Sequence, residues 1–85
     1  MDCKYRSTHE GKNQFIHEVI KPFVLASGAF VAVQYIDNEK GEWIALYKEG
    51  NPYPAKYIDI TADSIAAIYV DFCKYFGEIV REEMY

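Results

Sequence analysis

The chain has 85 residues, enough for one small domain, and its 51% hydrophobic and 16% aromatic residues exclude a disordered tail. Its formal charge is −4, from 13 acidic and nine basic residues. That balance argues against a nucleic-acid backbone or an anionic membrane as the main partner, because both bind cationic surfaces. We predict a single compact domain over residues 1–85, with residues 1–6 as a flexible N-terminal segment.

The sequence shows no segment typical of a membrane span or a secretory signal. The longest stretch without a charged residue, 22–36, has 15 residues, fewer than the roughly 20 apolar residues that a spanning helix needs. The first six residues have no apolar stretch behind their charges. We therefore expect a cytoplasmic protein with Cys3 and Cys73 as reduced thiols. Cys73 falls in an apolar helical pattern, which predicts a small core residue.

The first predicted element is a helix over residues 8–20. Ser7 and Glu10 have the spacing of a capping box, in which each side chain bonds to the backbone N–H of the other residue. Pro22 lacks an N–H and disfavours a helical conformation in the residue before it. The helix should therefore end near residue 20, or continue as a kinked last turn to Ala26. Apolar residues recur on one helical face at Phe15, Ile16, Val19, Ile20, Phe23 and Val24.

Three strands are predicted next. Residues 29–36 are short, β-branched and aromatic, which is typical of a strand, and the polar turn 37–41 ends in glycine. Residues 42–48 form the second strand of this hairpin. A third strand is predicted over 55–60, with Pro54 at its start, where a missing N–H is tolerated.

The last predicted element is a long amphipathic helix. Thr61 is its predicted N-cap, Ile60 and Ile65 are placed as a hydrophobic staple, and Asp63 is placed in the first turn, where the helix dipole favours an anion. Gly77 is the weak point of this helix, at a cost of about 1 kcal/mol relative to alanine. The apolar stripe comprises Ile65, Ile68, Tyr69, Phe72, Cys73, Phe76, Ile79 and Val80.

The element order α-β-β-β-α predicts an α+β fold. Three antiparallel strands need cover on at least one face, and two amphipathic helices supply it. We expect a two-layer sandwich in which a three-stranded antiparallel sheet is covered on one face by two helices.

This order and size resemble those of double-stranded-RNA-binding domains over most of the chain. In that family, a lysine cluster at the start of the second helix bridges phosphates. The corresponding stretch here, Ile60-Thr61-Ala62-Asp63-Ser64, has no lysine and one aspartate, which would repel a phosphate. The resemblance therefore implies a layout, and nucleic-acid binding stays a secondary alternative.

Charge is distributed unevenly along the chain. Residues 1–36 carry three acids and four bases, a net of +1, whereas residues 37–85 carry ten acids and five bases, a net of −5. An acidic surface on a small rigid domain can dock against a basic protein and mainly increases the association rate and fixes the orientation. The alternative is a solvated face that keeps the protein soluble.

Aromatic residues are the second unusual feature, with eight tyrosines beside a single tryptophan. Side-chain alternation suggests that Tyr35, Trp43 and Tyr47 share one sheet face. If the helices cover the face with Ile44 and Leu46, these aromatics lie on the open face and offer contact area to a partner. Because both faces of the first strand are apolar, the opposite register, with the aromatics in the core, stays open.

Catalytic and metal-binding patterns are weak. His9 and His17 lie about 12 Å apart along one helix, too far to share a metal ion directly. Cys73 belongs to the apolar stripe, which argues against a nucleophilic thiol, and the glycines form no phosphate-binding loop. We expect no catalytic residues, no cofactor, no metal and no enzymatic activity.

The sequence thus predicts a small acidic, non-enzymatic protein-binding module. We expect an inhibitor or regulator of a basic, nucleic-acid-handling protein, because the chain resembles, in size and charge, compact acidic proteins of phages and mobile elements, anti-CRISPR proteins among them. The alternatives are a homo-oligomer or homodimer that pairs through an aromatic sheet face, and a nucleic-acid-binding domain. The predicted partner-binding residues are Asp37, Glu39, Glu42, Glu49, Tyr35, Trp43 and Tyr47.

Overall fold

The computed structural model describes residues 5–84 and confirms the α+β fold. The three strands form one antiparallel sheet in the order β1-β2-β3, so that β1 and β3 are its edges. The helices pack against one face of this sheet. The elements are α1 (His9–Phe15), a π-helical turn (Ile16–Ile20), α2 (Lys21–Ser27), β1 (Ala32–Asn38), β2 (Gly41–Tyr47), β3 (Lys56–Asp59) and α3 (Ile65–Met84).

The first helical stretch continues past residue 20, where the sequence suggested an end. The N–H of Lys21 donates to the carbonyl of Ile16, five residues back, which makes the turn wider than an α-helical turn. Pro22 then falls in the first turn of α2, directly after this wide turn, at a position where proline is tolerated. The wide turn therefore replaces the expected helix end, and the kinked continuation to Ala26 is extended to Ser27.

Both predicted helix caps are wrong, one by a single residue and the other by three. Thr8, not Ser7, is the N-cap of α1, and its Oγ1 accepts a 3.1 Å hydrogen bond from the N–H of Gly11. Ser7 instead accepts a 3.3 Å hydrogen bond from the N–H of Ile65, at the start of α3. Ser64, not Thr61, caps α3 through a 3.2 Å bond from the N–H of Ala67.

Residues before α1 also pack on the domain. The ring of Tyr5 meets that of Phe15 edge to face at 5.3 Å. The backbone of Arg6 passes so close to Gly11 that a Cβ at this position would overlap the Arg6 carbonyl. Residues 1–4 of the segment predicted to be flexible, Cys3 among them, lie outside the described residues.

The core fills the space between the helices and the sheet. A stacked pair of rings, Phe72 and Phe76 of α3, has centroids 4.9 Å apart, and Phe30 and Phe23 lie against it. The prediction for Cys73 is wrong, because this side chain is exposed. The fully buried side chains of the core are Ile16, Ile20, Val24, Phe30, Ile44, Leu46, Ile58, Ile60 and Ile68.

The strand register is set by the hairpin between β1 and β2. Val33 faces Leu46 and Tyr35 faces Ile44, and these pairs lie on the side that the helices cover. The strand begins at Gly41 with φ of 148°, a conformation that favours glycine, and a Cβ there would also overlap Oγ1 of Thr61. Each strand therefore presents one row of side chains to the core and the other row to the opposite, open face.

Candidate functional site

The open face of the sheet carries aromatic side chains. Two of the three aromatic residues predicted for it, Trp43 and Tyr47, lie there. Both are in β2 and half-buried, and neither belongs to the core cluster. Tyr57 of β3 is opposite Ala45 in the register and is 57% exposed. The hydroxyl of Tyr47 donates a 2.6 Å hydrogen bond to the side chain of Gln34 across the strands.

Tyr35 does not join this face, which corrects the predicted aromatic set. Its partner across the strands is Ile44, so its ring points to the helix-covered side. The physical reason is the register: side chains directly opposite each other in an antiparallel pair share a face, and Trp43 is opposite Ile36. Tyr57 takes its place on the open face.

Glu42 is part of the interior and not a surface contact. It is only 9% exposed, and Nζ of Lys12, itself 7% exposed, donates to both carboxylate oxygens at 3.0 Å. The Tyr35 hydroxyl donates a short hydrogen bond to Oε2, and the N–H of Ala62 donates to Oε1 at 3.1 Å. Glu42 therefore joins α1, β1, β2 and the loop before α3.

Ionisation of this cluster follows from its bonds. Burial opposes the charge on Glu42, but the hydrogen bonds from Tyr35, Lys12 and Ala62 outweigh it and lower the pKa of the carboxyl. Burial, together with the bond to the Glu42 carboxylate, raises the pKa of Tyr35. Around neutral pH Glu42 is therefore a carboxylate and Tyr35 a neutral phenol.

Among the residues that the structure describes, one group of side chains has ligand atoms close enough for a metal ion. His9, Asp37 and Glu42 each have such an atom, all within 4.8 Å of one another, and His9 Nδ1 lies 2.5 Å from Asp37 Oδ2. The oxygens of Glu42 already accept bonds from Lys12, Tyr35 and Ala62. His9 and Asp37, which contact each other, remain, and two ligands are fewer than the three or four that protein zinc sites use, so this group is better explained as a hydrogen-bond network.

The remaining predicted acids do not form one patch. Asp37 is at the end of β1 beside His9, and Glu39 is exposed in the hairpin turn. Glu49 follows the other end of β2, and the seven residues of that strand separate the two ends by about 20 Å. These three acids are therefore spread along the hairpin and do not form one cluster.

The structure instead collects acids in a groove between the outer edge of β3 and α3. Its volume is about 540 Å³. Asp71, Tyr75, Glu78 and Glu82 have i, i+4, i+7, i+11 spacing, which places them in one stripe along the helix. We call this site the edge groove; its lining residues are Lys56, Tyr57, Ile58, Asp59, Thr61, Asp71, Tyr75, Glu78, Ile79 and Glu82.

The charge of the edge groove is strongly negative. Four carboxylates line it, and Lys56 is the one basic residue of the lining within residues 5–84. The Lys56 ammonium lies 3.5 Å from a carboxylate oxygen of Glu82, and both side chains are solvent-accessible. Such exposed pairs contribute little stability, so a partner's cation can replace Lys56 at small cost.

Comparison with known families, curated proteins and solved structures finds no match. In residues 5–84, no helix combines the length and the apolar character needed to cross a membrane.

Asp63, in the loop before α3, interacts with Asp71, which lines the edge groove. Burial and the neighbouring carboxyl of Asp71 raise the pKa of Asp63 from 3.8 to about 6. Its Oδ2 atom is buried without a hydrogen-bond partner. At neutral pH the negative charge on Asp63 is therefore unfavourable, because the carboxylate is partly buried, lacks a hydrogen-bond partner at Oδ2 and lies beside a second carboxyl.

This pair makes stability depend on pH. The native pKa exceeds the unfolded value, so the native state binds more protons and loses stability as the pH rises from about 4 to 6. We expect Asp63→Asn to raise the free energy of unfolding by about 1–2 kcal/mol at pH 7.5 and by little at pH 4. Urea denaturation at both pH values measures this difference, with the exposed turn variant Glu39→Gln as the control. An Asp63→Asn variant no more stable than wild type at pH 7.5 contradicts the assignment.

Proposed function

We propose that the protein is a non-enzymatic module that binds a basic protein partner, with the edge groove as the centre of the contact. The observation that carries the proposal is the convergence of four carboxylates from β3 and α3 on one groove. Opposite charge across an interface raises the association rate and fixes the orientation of the partner.

Aromatic side chains at the groove support this function. Tyr57 and Tyr75 line it and are 57% and 42% exposed. Trp43, on the open face, is opposite Asp59 in the strand register. Tyrosine and tryptophan are enriched among the residues that dominate binding energies, so an acidic groove with aromatic borders suits a protein ligand.

The class of partner is part of the proposal. A protein that handles nucleic acid presents a basic surface to phosphates, and an acidic module can occupy that surface and act as its inhibitor or regulator. Under this proposal, the chain is an inhibitor of the kind that phages and mobile elements encode, including the anti-CRISPR type. The proposal predicts competition between the module and nucleic acid for the same partner.

The test is a charge reversal with a matched control. Glu78→Lys/Glu82→Lys replaces two negative charges by two positive ones at the groove, and Glu10→Lys/Glu18→Lys makes the same change in charge on the first helical stretch, where both acids are exposed. Each variant and the wild type serve as bait in a lysate of the native source, at about 50 mM and 500 mM salt.

We expect a basic protein to be retained at low salt by the wild type and the control, and to be lost with the groove variant or at high salt. Added nucleic acid should displace the module from that protein. A partner retained equally by the groove variant contradicts the proposal. Direct binding of double-stranded RNA in a mobility shift would favour the nucleic-acid alternative, although Asp63 stands where that family carries lysines.

Self-association is the second candidate. Its supporting observation is Phe23, which is 62% exposed although its ring contacts Phe72 and Phe76. Apolar surface of this kind can pair with a second copy of the chain. Light scattering at low concentration distinguishes the candidates, because a monomer excludes the homo-oligomer and leaves the binding module.

A further inference from the structure

We propose that the edge groove accepts its partner as an added β-strand: a basic, extended segment pairs with the outer edge of β3, and the carboxylates of α3 bind its lysine or arginine side chains. This inference rests on the proposed function and adds the shape of the ligand. It also states which backbone atoms make the contact.

The outer edge of β3 has backbone groups directed at the groove. The N–H of Ile60 donates to the carbonyl of Glu42 at 3.0 Å, and bonded and non-bonded pairs alternate along an antiparallel ladder. The backbone N–H and C=O of Tyr57 and Asp59 therefore point away from β2. Within residues 5–84, no backbone hydrogen bond from outside the sheet reaches these two residues. An edge of this kind is a template for another strand.

The length of the acidic stripe fits such a strand. From Asp71 to Glu82 the helix rises about 16 Å. Side chains on one side of a strand repeat about every 6.6 Å, so about three basic side chains of an added strand can face this stripe. The other side chains of that strand would lie beside Tyr57, on the open face.

Lys56 and Glu82 already form, within the chain, the kind of ion pair that we propose between a bound strand and α3. It is opposite Leu46 in the register, so its side chain is on the helix-covered side of β3, and from there it reaches Glu82. A basic residue on the next strand would reach the same helix from one strand further out. A second copy of this chain is a poorer occupant, because it would bring its own acidic groove against this one.

The test uses a defined probe, an eight-residue peptide of alternating lysine and valine with blocked ends, and amide hydrogen exchange of the wild-type protein by NMR. At saturating peptide, we expect exchange at the Tyr57 and Asp59 amides to slow by about tenfold or more, because both become hydrogen-bonded. The Ile58 amide already bonds to β2 and should change little. A peptide of alternating glutamate and valine is the charge control and should not bind.

A pair of variants separates the backbone contact from the ring. Tyr57→Pro removes the outward N–H and leaves the ladder to β2 intact, since proline is tolerated at such edge positions. Tyr57→Val also removes the ring but keeps the N–H. We expect the lysine–valine peptide to bind Tyr57→Pro about tenfold more weakly than Tyr57→Val.

The outcomes distinguish this inference from the proposed function. Peptide binding that Glu78→Lys/Glu82→Lys abolishes, without slower exchange at Tyr57 and Asp59, overturns strand addition and leaves a charge-based binding module. No binding of the peptide also overturns strand addition, and the bait experiment then decides the function independently. The exchange measurement uses the wild type, so the result stands even if Tyr57→Pro fails to fold.

Discussion

Replacement of Lys12 by methionine should lower the free energy of unfolding by about 3–5 kcal/mol. The substitution removes the cation that donates to both oxygens of Glu42 and leaves a carboxylate in the protein interior. Small domains have only about 5–15 kcal/mol of stability in total, so this variant should be close to unfolding at room temperature. Urea denaturation at pH 7 measures the loss.

Two further variants identify the cause of that loss. The exposed Lys40→Met should change stability by less than about 0.5 kcal/mol, because it loses a lysine without a buried partner. The double variant Lys12→Met/Glu42→Gln should recover much of the loss, since no buried charge remains and the amide oxygen still accepts a hydrogen bond. A single-variant loss below about 1 kcal/mol would show that Glu42 finds water or another partner.

Replacement of Gly11 by alanine should destabilise the protein by about 1–3 kcal/mol, against the usual helical preference for alanine. The new Cβ would overlap the backbone carbonyl of Arg6, which cannot move like a flexible side chain. The matched variant Gly77→Ala meets nothing within 4 Å and should stabilise α3 by about 1 kcal/mol. Thermal or urea unfolding of both variants measures the two effects.

The informative result is that the two glycine-to-alanine substitutions change the free energy of unfolding in opposite directions. Both sit in helices, so intrinsic propensity alone predicts the same gain for each. If Gly11→Ala were as stabilising as Gly77→Ala, the segment around Arg6 would not rest on α1 in solution.

Periodicity along the chain was sufficient to predict the architecture. Side chains alternate with the period of a strand in β2, and apolar residues recur with the period of a helix in α3. Both elements lie within a few residues of their predicted positions. The faces of β1 were harder to assign, because apolar residues occur on both of its sides. Pairing with β2 decides that Tyr35 points to the helices, and such pairing is a long-range property.

Helix caps and charged contacts were less accessible to sequence reasoning. Serine and threonine can both cap a helix, and only the entry of the chain into α1 selects Thr8 over Ser7. The partner of Glu42 is Lys12, 30 residues away, and a lysine in an amphipathic helix gives no sign that it will be buried. The i, i+4, i+7 spacing from Asp71 was visible in the sequence, and the third strand was predicted, but the position of that strand beside this face of α3 was not.

The wide turn at Ile16–Ile20 and the proline that follows it form one unit. A π-turn amounts to one extra residue in an α-helix, so deletion of one residue there would restore a regular ladder. That ladder would meet Pro22 in a helix interior, where its ring collides with the preceding turn. Shortening this helix by one residue within residues 16–20 therefore also requires replacement of the proline.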